Sequence, residues 1–261
     1  MPRPPARTVI ASALSGAALL SASACSLGRL DQAIRGVPAA VSPAASATAT
    51  ASPTPAAAPT LTEAQARAAL ISETDLGEPW VPTMGFATWR DSMLKASAES
   101  ADCGRLLDVL YSEELFGPDA RTRASVGLDD TWDGAQMRYQ VVAHRPEDLD
   151  RTLAWLGGLP EKCGEFIATA GSGTMTVEVS EADMPEVGDA RVGLRIVLSA
   201  VSESDDAPTL TLHLAAVRVG DDAVTLTNGG LADVSSDATW AAIELGTRRL
   251  AEARKRGKAD I

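Results

Sequence analysis

Histidine and cysteine are scarce in these 261 residues, which hold two His (His144 and His213) and three Cys. A structural zinc site takes four such ligands at close spacing, and neither histidine stands at ligand spacing from a cysteine. No metal and no other cofactor is expected. A Ser-His-Asp hydrolase is also short of parts. The nearest nucleophile motif, "AGSGT" around Ser172, lacks the spacing of a Gly-x-Ser-x-Gly elbow and reads as a turn before a strand. Bases are outnumbered 23 to 35 by acids, so nucleic acid is excluded as a partner. The acidic pairs Asp129/Asp130 and Asp205/Asp206 fall at expected turns, where Asp is common, and neither has the alternating oxygen ligands of a calcium loop. "TNGG" at Thr227 to Gly230 lacks the lysine of a phosphate loop and reads as a turn into the last helix.

Long apolar runs are also missing, with one exception near the N-terminus. Val9 to Leu20 is too short to span a bilayer, follows Arg3 and Arg7, and has no acid before it, which is the pattern of a secretory signal over residues 1–24. The run ends in Ala22, Ser23 and Ala24 directly before Cys25. That arrangement resembles the lipobox of bacterial lipoproteins, which implies that Cys25 becomes the first mature residue and carries the lipid. The protein then sits on the outer face of the cytoplasmic membrane. Ordinary signal cleavage is the alternative and leaves a secreted soluble protein with a free thiol at its tip. Loss of residues 1–24 leaves 21 bases against 35 acids, a formal charge of −14, which disfavours docking on anionic head groups beyond the anchor itself. Cys103 and Cys163 remain, in a compartment that permits disulfides, and are expected to pair; two separate buried thiols are the alternative.

Residues 25–59 are rich in Ala, Ser, Pro and Thr and have too little apolar content to fold, as a tether between anchor and domain would. A folded domain is expected over residues 60–256, with a short tail at 257–261. Thr62 and Gln65 form a capping box ahead of a helical stripe at Ala66, Leu70 and Ile71. A second helix starts at Asp102 and aligns Cys103, Leu106, Leu107 and Leu110. "GAQMRYQVVAH" alternates Met137, Tyr139, Val141 and Ala143 against polar neighbours, as a half-buried strand does. The next helix opens on Pro146 and stops at Gly157 and Gly158, and "LPEKCGEFIATA" reads as a short helical stretch. Three or four strands follow, joined by short turns such as Gly220 to Asp222, then a last helix from about Asp237 whose final turn holds Arg254, Lys255 and Arg256. The fold class expected is α+β, an antiparallel meander sheet with helices packed on one face, in a single domain.

Aromatics are few: five Trp, two Tyr and three Phe. Trp80, Phe86, Trp89 and Trp132 fall in loops or at strand edges, where they either close the core or line an apolar groove. His213 alternates in phase with Thr209 and Thr211, opposite Leu210, Leu212 and Leu214. It reads as a packed or surface histidine, with lining of a ligand groove as the other reading.

The order of these features resembles the PknH-like extracellular sensor domain family over roughly Thr60 to Arg256. The features are the capped Leu-Thr helix with "DLGEPW" after it, the Cys-bearing helix, the strand and helix leading to the second Cys, "VGDARVG", and "AAVRVGDDAVTLT" before a C-terminal helix. The resemblance implies an antiparallel sheet and helices around a ligand groove, a disulfide between Cys103 and Cys163, and no catalytic activity. Three functions follow as expectations. The foremost is a tethered, non-catalytic ligand-binding or sensor-like domain for an envelope lipid or small molecule. The alternative is a structural or adaptor lipoprotein that binds an envelope protein. The third is a hydrolase with a divergent site.

Overall fold

Period-two and period-3.6 apolar patterns alternate along the chain and build a nine-stranded sheet and six α-helices among the described residues. The computed structural model describes residues 61–202, 207–231 and 234–259, and these belong to one compact unit. The strands are β1 (Trp80–Pro82), β2 (Ala96–Ala98), β3 (Arg121–Asp130), β4 (Gln136–Ala143), β5 (Glu165–Ala170), β6 (Gly173–Glu181), β7 (Ala190–Ala200), β8 (Thr209–Val219) and β9 (Asp222–Gly230). They lie in the order β1-β3-β4-β9-β8-β7-β6-β5-β2, every neighbouring pair antiparallel. β5 to β9 form the expected meander, and β4 returns to pair with β9. Val219 faces Asp222 across the β8–β9 turn. There Gly220 has φ 62°, and the Arg254 side chain occupies the space a Cβ would take.

The helices are α1 (Glu63–Ala68), α2 (Glu73–Leu76), α3 (Ala101–Ser112), α4 (Pro146–Gly157), α5 (Leu159–Lys162) and α6 (Ser236–Ala259). α1 opens with the Thr62/Gln65 capping box, the Thr62 hydroxyl accepting from Gln65 N–H at 3.2 Å. α4 opens on Pro146 and passes at Gly158 into α5.

The α+β class and the antiparallel sheet are as expected, but the layering is richer than helices on one face. On β8, Leu210, Leu212, Leu214 and Ala216 belong to one apolar cluster, with α3, α4 and α5. Ala215, Val217 and Val219 belong to a second, with α1 and α6. Opposite parity on one strand means opposite faces of the sheet. α1 and α6 therefore cover the face that α3, α4 and α5 leave open, and they cover it over β3, β4, β9 and β8. β6 stays one-sided, alternating buried Met175, Val177 and Val179 with exposed or half-buried neighbours. Each fully buried leucine or valine contributes about 1.5–3 kcal/mol, so two filled layers are the main source of stability.

Three local expectations are corrected. "LPEKCGEFIATA" is helical only to Lys162; from Glu165 on, Phe166 and Ala168 point inward while their neighbours are exposed or further out, and that period of two makes β5. "TNGG" is not a turn: Thr227 to Gly230 complete β9, paired with β4 and β8 on both sides. Asp129 and Asp130 close β3 instead of sitting in a free turn, with Asp130 Oδ1 accepting from the N–H groups of Trp132 and Asp133 at 2.8 and 3.1 Å.

Candidate ligand groove

The even-numbered residues of β4 point to the α3 side of the sheet, opposite Met137, Tyr139 and Val141. Register places Arg138 beside Thr227 of β9, which in turn faces Leu214 of β8. One step along, Gln140 lies beside Thr225. The last turn of α3 and the chain after it, through Leu115 and Phe116, pass over these rows and leave two small adjoining hollows of about 20 and 60 Å³, room for one and for a few water molecules. Both are bordered by Glu113, Leu115, Gln140 and Thr225. Val109, Leu110 and Leu214 give the first hollow apolar walls, and Arg138 and Thr227 give it polar ones.

Glu113 organises the mouth. It ends α3 in the left-handed region, φ 61° and ψ 19°, a place that favours glycine and costs another residue about 1–2 kcal/mol. Its carboxylate stands between two guanidinium groups, 3.1 Å from Arg90 Nη1 and 3.0 Å from Arg138 Nε. Arg90 is nearly buried and donates through Nη2 to the Tyr111 carbonyl at 2.6 Å; the exposed Phe86 ring lies 5.6 Å from its guanidinium carbon. Arg138 is less enclosed. Its Nε contact with Glu113 is an ion pair without hydrogen-bond alignment. Its two terminal amino groups make no hydrogen bond among the described residues. Gln140 accepts at 3.5 Å from the Thr225 hydroxyl and is otherwise without a protein partner there. Chemically the arrangement offers unpaired N–H donors beside an apolar wall. It offers no nucleophile paired with a base.

The residues singled out in the sequence lie elsewhere. Cys25, Asp205 and Asp206 are outside the described residues. Cys103 and Cys163 form a disulfide linking α3 to the end of α5. Beside it Asp102 accepts from Lys162 Nζ at 3.1 Å and Trp155 Nε1 at 3.0 Å. The Lys162 hydrogen bond above all, with that from Trp155, holds the Asp102 carboxyl below the usual range. Ser172 is a turn residue whose hydroxyl donates to the Ser92 carbonyl at 2.5 Å. His213 is buried on the α6 face, edge-on to Trp240 at 5.9 Å, with Nε2 3.3 Å from the Val234 carbonyl. His144 packs 3.5 Å from Asp148; burial pushes the Asp148 carboxyl up, but Arg151 and Arg145 outweigh it and leave it lowered. Trp80 and Trp89 close the core, whereas Phe86 and Trp132 are exposed, at 78% and 74%. Among the described residues no cluster of His, Cys, Asp and Glu is placed to hold a metal ion, and no helix is long and apolar enough to cross a membrane.

Sequence reasoning missed Glu113, Arg90, Arg138 and Gln140. Arg138 and Gln140 were visible only as the polar phase of β4, which a half-buried strand turns to solvent. A larger hollow, between Gly157 and Pro160 on one side and Glu181 to Met184 on the other, is open to solvent, and its Arg191 is paired with Glu186 at 2.7 Å.

The chain matches no protein-family model and no curated protein sequence. Among solved structures it is similar to the extracellular domain of PknH from Mycobacterium tuberculosis, at 13% identity and a TM-score of 0.42, over 77% of this chain and 100% of that one. It is also similar to a hypothetical protein from Helicobacter pylori, at 12% identity and a TM-score of 0.27, over 44% of this chain and 83% of that one. Likeness at this level assigns neither family nor function.

Proposed function

We propose that this chain is a lipid-anchored extracytoplasmic protein whose domain binds an envelope lipid or small molecule and catalyses no reaction. Cys25 is the anchor, and residues 26–59 hold the domain off the membrane. The observation that carries the reading is the groove over β4 and β9, where Arg138 and Gln140 bring unpaired donors to an apolar wall. Ligand sites combine a mostly apolar surface with a few convergent polar groups, and this groove has that composition. The adaptor reading has its own support in the exposed side chains Met84 (97%), Phe86 and Trp132, which fit contact with a protein better than contact with water.

Mass spectrometry of the mature protein recovered from its own envelope separates the two. Under denaturing conditions the expected mass includes a lipid on Cys25 and an oxidised Cys103–Cys163 pair. Under native conditions an extra mass belonging to one small molecule is expected. A native mass equal to the lipidated chain alone favours the adaptor, and an unmodified Cys25 removes the anchor.

A further inference from the structure

We infer that the corner of the sheet at β1 and the β3–β4 turn is a docking surface for another envelope protein, one that presents an apolar patch ringed by lysine or arginine. The inference is independent of the groove over β4 and β9. Its first support is a concentration of apolar side chains in water. Met84, Phe86 and Trp132 are the three most exposed large apolar residues described, and Val81 of β1 is exposed as well. Interface centres gather Trp, Phe and Met, and Trp above all supplies the anchoring contacts.

The second support is that the loops carrying these side chains are held in place. Gln136 Nε2 donates to the Gly85 carbonyl at 3.0 Å and to Asp129 Oδ1 at 2.8 Å, and its Oε1 accepts from Ala87 N–H at 3.2 Å. The Thr83 hydroxyl donates to the same Asp129 oxygen at 2.8 Å, and the Thr131 hydroxyl to the Pro79 carbonyl at 3.0 Å. A patch fixed in this way loses little freedom on binding. β1 has only three residues and ends on Pro82, which leaves little for a partner strand to pair with, so recognition falls to side chains.

Charge selects the occupant. Residues 78–90 and 127–138 contribute Glu78, Asp129, Asp130 and Asp133 against Arg90 and Arg138, and Glu113 stands between those two arginines. Five carboxylates meet two guanidinium groups there, a net −3. Such a corner repels an anionic lipid surface and a second copy of itself, and attracts a partner with a basic rim. Position agrees. Gln65 lies against Gly257 near the end of α6, Arg254 of α6 pairs with Asp222, and Asp222 lies beside Ala143, the last residue of β4. The chain enters the described domain at that end. Gln136 and the corner lie at the other, about 23 Å along β4, so the patch faces away from the side that leads to Cys25.

The test puts the photo-cross-linker p-benzoylphenylalanine in place of Trp132, and in place of exposed Glu178 on β6 as a control, in the full chain in its own cells. Irradiation should join position 132 to one predominant envelope protein that position 178 does not reach. That protein, purified, is then titrated against the mature Cys25→Ser chain by biolayer interferometry. Trp132→Ala should weaken binding about ten- to hundredfold, with the unfolding temperature unchanged because the ring is exposed. Asp133→Lys should weaken it about three- to tenfold, chiefly through slower association, and added salt should weaken it too. Cross-linking from 132 no greater than from 178, or a partner whose binding ignores Trp132→Ala, would overturn the docking surface. Loss with Trp132→Ala alone, with Asp133→Lys and salt without effect, would reject the basic rim. Two measurements on the Cys25→Ser chain test the rival occupants. Tryptophan emission that shifts to the blue on phosphatidylglycerol or phosphatidylcholine vesicles, and no longer does so in Trp132→Ala, would replace the protein partner with a lipid surface. A dimer in analytical ultracentrifugation that is lost in the same variant would replace it with a second copy.

Discussion

Glu113 carries opposing demands at the residue scale. Its backbone conformation favours glycine, and its carboxylate holds two arginines at the groove mouth. Glu113→Gln retains the backbone strain and removes the charge, leaving Arg90 nearly buried without a counter-ion. The variant should lose about 1–3 kcal/mol in urea unfolding. Asp75 is a second residue with a sharp expectation. Arg249 grips it in a two-pronged pair, Nη1 to Oδ2 at 2.7 Å and Nη2 to Oδ1 at 2.6 Å. That hydrogen-bonded pair, against an opposing burial effect and with help from Ser72, holds the carboxyl at about 2 from an ordinary 3.8. A depressed carboxylate stabilises the fold fully above its unfolded value, and the gain is lost as pH falls through the folded one. Asp75 should therefore contribute on the order of 2 kcal/mol at neutral pH, lost between about pH 4 and pH 2. Urea unfolding across that window should show a loss in the parent chain that is larger, by about that amount, than the loss in Asp75→Asn, which keeps the contributions of Asp102 and Asp148.

Helix α6 and strand β4 meet at the element scale through one small residue. Gly246 stands where a Cβ would overlap the Tyr139 hydroxyl, and that hydroxyl donates to the Ala69 carbonyl at 3.2 Å at the end of α1. Burial pushes the Tyr139 phenol upward, so it stays a neutral donor. Alanine favours an exposed helix position by about 1 kcal/mol, but here the clash wins. Gly246→Ala should lower stability by about 1–3 kcal/mol in the same unfolding assay, the usual cost of overpacking. A stabilised Gly246→Ala would mean that α6 does not lie this close to the sheet. Much at this scale was legible in the sequence, because each signal was local: the Thr62/Gln65 box, Pro146 at the start of α4, the turn at Gly220. β1, β2 and β3 were not legible. Two of them have only three residues and exist by pairing with distant partners, β1 with β3 and β2 with β5, and pairing leaves no periodic trace in so short a run.

At the scale of the whole molecule, one disulfide spans a sequence separation of 60 residues across the α3–α5 layer. Chain entropy assigns such a loop about 4 kcal/mol, and Cys103→Ser with Cys163→Ser should lose an amount of that order by urea unfolding. Burial on both faces was partly readable: Ala215, Ala216 and Val217 in succession on β8 break the one-sided alternation. The groove was not readable. It depends on Glu113, from the end of a helix, meeting Arg90 and Arg138, which lie 23 residues before it and 25 after, and no spacing rule connects them. Arginine side-chain NMR of the mature Cys25→Ser chain, titrated with the small molecules extracted from the envelope-purified protein, tests the central claim most directly. Movement of the Arg138 Nε–H signal and the Glu113 backbone amide, with Arg249 and Arg254 unmoved, is the predicted result. Unmoved Arg138 and Glu113, or shifts confined to Met84, Phe86 and Trp132, would contradict it.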